Sequence, residues 1–377
     1  MPMSKINLLI QGWRGTSHSY ALVNQFQMLE LLKRPEFALF HEDMPFLSKS
    51  WSEQNDAGGF DKDRARTIAA VPPPLVPVDA VYRIGVPCSL QPRPGAKTFC
   101  YLTCEFRTVD PNYFPGVSNF TDLPDTVDLV TPSHWSKAGL VRSGFAAERI
   151  HVIPNGIDPS IFRPQPAAER AAIRQSQGVA PDRFIFLSIG GMFHNKGIDV
   201  LLKAFAQVHR RYPHTGLVLK DQSSIYPIRV GDIVKDIINR HGLDPSVRSG
   251  LSLVSGNLNF EQMRQLYTFC NAYVAPYRGE GFCIPPLEAA ACGLPIIVTA
   301  GGATDDYADA SLAFKIQTRD KGHGNELDPD PESLIDCMER LIEGRAPEIN
   351  PDRAVAYIGE NFTWARAVDR LVPLLTA

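Results

Sequence analysis

The stretch Tyr277-Arg278-Gly279-Glu280-Gly281-Phe282-Cys283-Ile284-Pro285-Pro286-Leu287-Glu288 places two carboxylates around a glycine-bearing loop that runs into a helix. Pro285 and Pro286 lack amide protons and suit a first helical turn, and Gly293 before Leu294-Pro295 reads as a stop. The spacing predicts a helix of about two turns. Glu280 then lies in the loop and Glu288 inside the helix. The backbone from Gly281 through Phe282, Cys283 and Ile284 forms the helix mouth, where unsatisfied amides and the positive end of the dipole favour an anion such as a diphosphate. Together these groups suit a sugar joined to a phosphate. On this stretch alone a structural account stays open, with Glu288 complementing the dipole and Glu280 a solvated loop charge.

A loop of this kind must be held at the end of a strand, and the flanking sequence supplies one. Residues 5–10 read as an apolar strand, 11–19 as a loop and 20–32 as a helix with Ala21, Leu22, Phe26, Leu29 and Leu32 at helical spacing. No Gly-x-Gly-x-x-Gly follows that strand, which disfavours a dinucleotide site. Residues 48–77 are irregular and hold at most one helix. Strands are expected at 80–84, 97–103, 126–131 and 150–153, with a helix capped by Ser133 running to about 143. Pro154-Asn155-Gly156-Ile157-Asp158 breaks regular structure, and 159–177 reads as a linker. Beyond it, strands at 184–189, 216–220, 251–254, 272–275 and 295–299 alternate with helices at 198–212, 231–241 and 260–269. Two tail helices follow, at 331–343 and 364–375. Such alternation predicts parallel sheets covered on both faces. The expected domains are 1–165 and 166–355, with 356–377 as a C-terminal helix crossing back to the first.

Composition agrees with two domains. A chain of 377 residues exceeds one ordinary core. Its net charge of −3, without a long basic run, argues against nucleic acid as a partner. No apolar run approaches the roughly 18–20 residues that span a bilayer, and no signal-peptide pattern opens the chain. A cytosolic protein is expected, with peripheral contact at the inner face of a membrane left open. Seven cysteines at irregular spacing suggest reduced thiols, with Cys100 and Cys104 in the core. The nine histidines show no metal spacing, and Asp328-Pro329-Asp330 reads as a helix-approach loop. Neither a metal nor a cofactor is expected.

Three ordered motifs, Pro154-Asn155-Gly156-Ile157-Asp158, Asn195-Lys196-Gly197-Ile198-Asp199-Val200-Leu201-Leu202 and the Glu280 to Glu288 stretch, resemble those of the retaining glycosyltransferases of family 4. The resemblance implies a GT-B fold, α/β throughout, with two Rossmann-like domains facing each other across a cleft. It further implies a nucleotide-diphosphate sugar donor, UDP- or GDP-linked, and a saccharide or lipid-linked acceptor in polysaccharide or glycoconjugate synthesis. Lys196 would contact the diphosphate, Glu288 the ribose hydroxyls and Glu280 the sugar hydroxyls. Catalysis would follow front-face attack by the acceptor, with no metal and with Glu280 steadying the sugar rather than attacking it.

The chain also departs from that pattern. Gly191 stands where an arginine often accompanies the phosphate lysine, and Lys220, ending the next strand, is the candidate to restore the charge. Where the family commonly has a histidine, this chain reads Thr103-Cys104-Glu105. His18 is the alternative, either donating to sugar or phosphate or capping the following helix. Trp13 and Arg14 are candidates for the acceptor, or residues of an exposed loop tip. Gly12 and Leu258 complete the donor-side candidates, the latter in the loop 255–258 expected over the base. Loops 11–19 and 105–120 are expected to select the acceptor. Binding of nucleotide sugars without transfer, or their epimerisation, are the alternative functions.

Overall fold

The computed structural model describes residues 5–48, 51, 57–114, 117, 119–226, 229–319, 324–345 and 349–377. Parts of the expected irregular segment (49–50, 52–56) and of the expected acceptor loop (115–116, 118) lie outside the described residues. The chain divides into two compact units, 1–156 with 362–377, and 157–361. The divisions fall at 156/157 and 361/362, against the 165/166 and 355/356 read from the sequence.

In the first unit β1 (Ile6–Gly12) leads into α1 (Ser19–Leu31), then β2 (Phe37–Asp43), α2 (Lys62–Ala69), β3 (Ala80–Ile84), β4 (Lys97–Tyr101), β5 (Val127–Thr131), α3 (His134–Arg142) and β6 (Ile150–Val152). The strands are parallel in the order β2-β1-β3-β4-β5-β6. Every residue of β3 and β5 is buried, as a sheet covered on both faces requires. Ser133 caps α3 by accepting from the Ser136 amide at 3.0 Å. β2 was missed in the sequence because its end, His41-Glu42-Asp43, breaks the apolar run at the sheet edge.

The second unit opens with α4 (Ala167–Ser176), inside the stretch expected to be a linker. That reading is corrected: α4 shows no apolar stripe because arginines hold it. Arg170 and Arg174 donate to the Thr268, Phe269 and Cys270 carbonyls, satisfying the end of a helix that has no later residues to do so. Then follow β7 (Phe184–Ile189), α5 (Ile198–Arg211), β8 (Thr215–Lys220), α6 (Val230–Arg240), β9 (Leu251–Val254), α7 (Phe260–Phe269), β10 (Ala272–Ala275), α8 (Ile284–Ala291), β11 (Ile296–Thr299), β12 (Ala313–Ile316), α9 (Pro331–Ile342) and α10 (Pro351–Asn361). β12 and α10 were not expected. The chain re-enters the first unit as α11 (Trp364–Leu375), where Trp364 stacks on Phe26 of α1 with ring centroids 5.1 Å apart.

The second sheet runs β12-β11-β10-β7-β8-β9, all parallel. Its core packs Phe186, Leu217, Leu219 and Val274 against Leu201 and Phe205 of α5 and Met338 of α9. The order reverses between β7 and β10. Loops leaving those two strands therefore diverge to opposite faces and leave a crevice at their carboxyl ends, the position at which open α/β sheets bind ligands.

Gly197 closes the β7 loop in the left-handed region, at φ +66°, and a Cβ there would lie 1.8 Å from the Pro276 carbonyl oxygen. Gly197→Ala is expected to destabilise the second unit by at least about 2 kcal/mol, read as a fall in the denaturant midpoint. An unchanged midpoint would refute the close approach.

Candidate active site

Two loops of the second unit meet at the reversal of strand order. Arg278, after β10, donates in a two-pronged fork to Asp199 in the first turn of α5, at 2.7 and 2.9 Å. Its amide donates to the Asn195 carbonyl at 2.7 Å, and the Asn195 side chain returns a bond to the Gly279 carbonyl at 3.3 Å. Burial alone would raise the Asp199 pKa, but the Arg278 hydrogen bonds and charge bring it down to about 2. With the loops so pinned, Lys196 and Glu280 form an ion pair, Nζ to Oε1. The lysine stem lies along Gly190, where a Cβ would stand 3.5 Å from its Cγ and Cδ.

Glu280 leads through Gly281 and the buried Phe282 to the start of α8. Cys283 occupies the N-cap with φ +66°, a costly conformation for a residue with a Cβ, and its side chain does not cap the helix. Tyr307 holds that turn: its hydroxyl donates to the Cys283 carbonyl at 2.7 Å, and its ring packs 5.2 Å from that of Phe282. Pro285 and Pro286 carry no amide proton, so the donors of the first turn are concentrated at its very start, on Cys283 and Ile284.

Glu288 lies one turn further on, 8% exposed, and accepts from the Tyr267 hydroxyl at 2.7 Å. Burial pushes its carboxyl up to about 7, against the downward pull of that hydrogen bond. The structure thus brings Lys196, Glu280, Gly281, Phe282, Cys283, Ile284 and Glu288 into one region of one unit. Lys220 ends β8 beside the β7 loop, its carbonyl accepting from the Gly190 amide at 3.1 Å. Gly191 packs under the Phe193 ring, and a Cβ there would lie 2.5 Å from it. Leu258 is half-buried, next to the Asn259 that caps α7; in the same loop Asn257 accepts from the Ser224 hydroxyl. Asp199, Tyr267 and Tyr307 were missed by sequence reasoning. Only Asp199 had a signal, as a residue of the Asn195 to Leu202 motif.

The remaining candidates belong to the first unit. Gly12 ends β1, where a Cβ would meet the Asn24 amide and the Ile84 carbonyl oxygen at 2.8 Å. His18 caps α1, its Nδ1 accepting from the Tyr20 amide at 3.2 Å. It stacks on Trp51 with centroids 5.1 Å apart, and burial lowers its pKa to about 4, so the ring is neutral. The expected loop tip is corrected: Trp13 is 1% exposed, with its indole N–H on the Pro45 carbonyl. Arg14 is likewise spent on Asp43 and on the Ile68 and Val71 carbonyls. Thr103 is held by Tyr20, hydroxyl to hydroxyl at 2.9 Å. Asp328 pairs with Arg319 at 3.2 Å and Asp330 caps α9. Among the described residues no group of three or more His, Cys, Asp or Glu could hold a metal ion.

Residues 169–345 match the family model of glycosyl transferases group 1. This segment is therefore similar to the group 1 glycosyl transferases. The chain is 26% identical over 254 residues to a subunit of the phosphatidylinositol N-acetylglucosaminyltransferase of Arabidopsis thaliana, covering 66% of this chain and 48% of that protein. It is 26% identical over 241 residues to D-inositol 3-phosphate glycosyltransferase 1 of Catenulispora acidiphila, covering 61% and 52%. The chain spans about half the length of the curated relatives it matches. Among solved structures, Anabaena HepE in complex with UDP and glucose superposes with a TM-score of 0.66 at 15% identity, covering 99% of this chain and 100% of that one. A glycosyltransferase of Rickettsia africae superposes with a TM-score of 0.69 at 15% identity, covering 99% and 98%. The two six-stranded parallel sheets are therefore those of the GT-B fold, as the resemblance implied.

Within the matched segment, Glu288 generates a pH test. Its native carboxyl binds a proton up to about pH 7, whereas the unfolded one releases it near 4.5. The stability this contributes is complete below 4.5 and is lost as pH rises through 7. The advantage of the wild type over Glu288→Gln should therefore shrink by about 3 kcal/mol between pH 4.5 and 8, measured by urea unfolding. A difference independent of pH would contradict the raised carboxyl.

Proposed function

We propose that this chain transfers a sugar from a nucleoside-diphosphate donor, UDP- or GDP-linked, to a saccharide or lipid-linked saccharide acceptor, with retention at the anomeric carbon. The observation that carries this reading is the Lys196–Glu280 pair set beside the mouth of α8 within the matched segment. A cation, a carboxylate and a helix N-terminus lined along one loop fit a diphosphate joined to a hydroxyl-rich ring. The UDP and glucose in HepE, and the sugar transfer named for the curated relatives, support a nucleotide-sugar donor and an acceptor in glycoconjugate synthesis.

Lys196 has to leave Glu280 for the diphosphate when the donor enters, releasing the carboxylate to the sugar hydroxyls. Glu288 takes the ribose hydroxyls, which replace part of the water its burial removed. As the bond between the anomeric carbon and the diphosphate oxygen breaks, charge gathers on the leaving phosphate, where Lys196 and the Cys283 and Ile284 amides stabilise it. The acceptor oxygen bonds to the same face of that carbon, and its proton passes to the departing phosphate oxygen. Glu280 lies on the phosphate lysine and is not proposed as a nucleophile. The reading calls for no metal. Among the described residues no helix is long and apolar enough to cross a membrane, and a lipid-linked acceptor would be met by peripheral contact.

Release of nucleoside diphosphate from a panel of UDP- and GDP-sugars tests the reading. Glu280→Gln should lower kcat by about 100-fold with donor Kd within a few-fold of wild type, whereas Lys196→Ala should lose on both, about 10-fold in affinity and more in kcat. No release from any donor, combined with tight nucleotide-sugar binding, would favour a binding protein. Conversion of the donor to its epimer would favour an epimerase.

A further inference from the structure

Asp221, the residue after β8, is 1% exposed, and its carboxylate accepts four hydrogen bonds, all from neutral groups. Oδ1 accepts from the Ser223 amide and hydroxyl at 3.1 and 2.9 Å, a turn within its own loop. Oδ2 reaches out of that loop. It accepts from the Ser255 hydroxyl, beyond β9, at 2.8 Å and from the Val230 amide, at the start of α6, at 3.5 Å. Burial alone would raise the Asp221 pKa, but these hydrogen bonds bring it below the usual carboxylate value, and the group is ionised. A buried charge costs desolvation. The turn needs Oδ1 alone, so the use of the group lies in what Oδ2 ties together.

The tied segments stand side by side. Ile189, Lys220 and Val254 are register partners across β7, β8 and β9, so the loops that follow leave the sheet level with one another. The Asp221 amide extends the ladder to the Val254 carbonyl at 3.0 Å, and the Ser224 hydroxyl donates to Asn257. The β8 and β9 loops are thereby fused, with Asp221 at the join. In the β9 loop Gly256 is left-handed at φ +89°, and a Cβ there would have nothing within 4 Å, so its backbone borders open space. The β7 loop carries Lys196, and α7, which the β9 loop begins, carries the Tyr267 that donates to Glu288. A nucleotide with its diphosphate on Lys196 and its ribose on Glu288 then meets the backbone of residues 255–258 with its base.

We propose that Asp221 is a positioning residue for the nucleobase: it touches no ligand, and by clamping the β8 loop to the β9 loop it holds the 255–258 backbone at the spacing that admits one base over another. This rests on the donor reading above. A wall made of backbone selects by where it stands, because every residue offers the same amide and carbonyl. The clamp that sets its place is therefore the selecting element.

Calorimetric titration of the full chain with UDP and GDP tests the assignment. The wild type should bind one of the two more tightly by at least about 10-fold, and Asp221→Ala should bring that ratio close to one by weakening the preferred nucleotide. A side chain that only stabilised the fold would weaken both alike. Ser255→Ala removes a single bond between the β9 loop and Asp221 and should narrow the ratio by about 3-fold; it decides the matter if Asp221→Ala does not fold. An unchanged ratio, equal losses for the two nucleotides, or a wild type without preference would overturn the proposal. If the wild type binds neither, the donor reading itself falls and the positioning role falls with it.

Discussion

The fork between Arg278 and Asp199 is the constraint on which the site depends. Two loops that leave β7 and β10 for opposite faces of a sheet have no intrinsic reason to keep register with each other. The two-pronged, charge-assisted contact fixes their separation and orientation together, which a single hydrogen bond would not. The Asn195 bonds to Arg278 and Gly279 then set the loops residue against residue. Gly197 follows because only a residue without a Cβ lets α5 start so close to the Pro276 carbonyl. Lys196 and Glu280 meet as a consequence of these contacts.

The same region holds several features that cost stability. Cys283 is left-handed, Glu288 is a carboxylate in a site that favours its protonated form, and Lys220 is a buried cation whose ammonium donates to a backbone carbonyl. Each would be replaced in a protein selected for stability alone. They lie at or beyond the carboxyl ends of β8 and β10, beside the reversal of sheet order, and on the donor reading proposed above the hydroxyls and charge of a nucleoside diphosphate would offset part of their cost. The first unit shows the opposite tendency at its own loop. Trp13, Arg14 and His18 are spent on Pro45, Asp43 and the α1 cap, so that this loop is built as structure.

What the sequence disclosed and what it concealed divide along physical lines. Elements with an apolar stripe or run, such as β7, α5, α7 and β10, were legible with bounds within a residue or so. α4 was hidden because two arginines, rather than a hydrophobic face, attach it, and β2 because a charged end closes an edge strand. Within the site, the glycines, prolines and charges on one continuous stretch could be read, since local chain geometry dictates their roles. Tyr267, Tyr307 and the Asp199–Arg278 fork could not, because partners 21 to 79 residues apart come together only through the sheet order.

A crystal structure of this chain with a nucleoside diphosphate bound tests the central claim most directly, namely that the pinned loops form a diphosphate site at the mouth of α8. Terminal phosphate oxygens should lie about 3 Å from the Cys283 and Ile284 amides, with the Lys196 ammonium moved from Glu280 onto them and the Arg278–Asp199 fork intact. A diphosphate bound away from the start of α8, with Lys196 still on Glu280, would contradict the account.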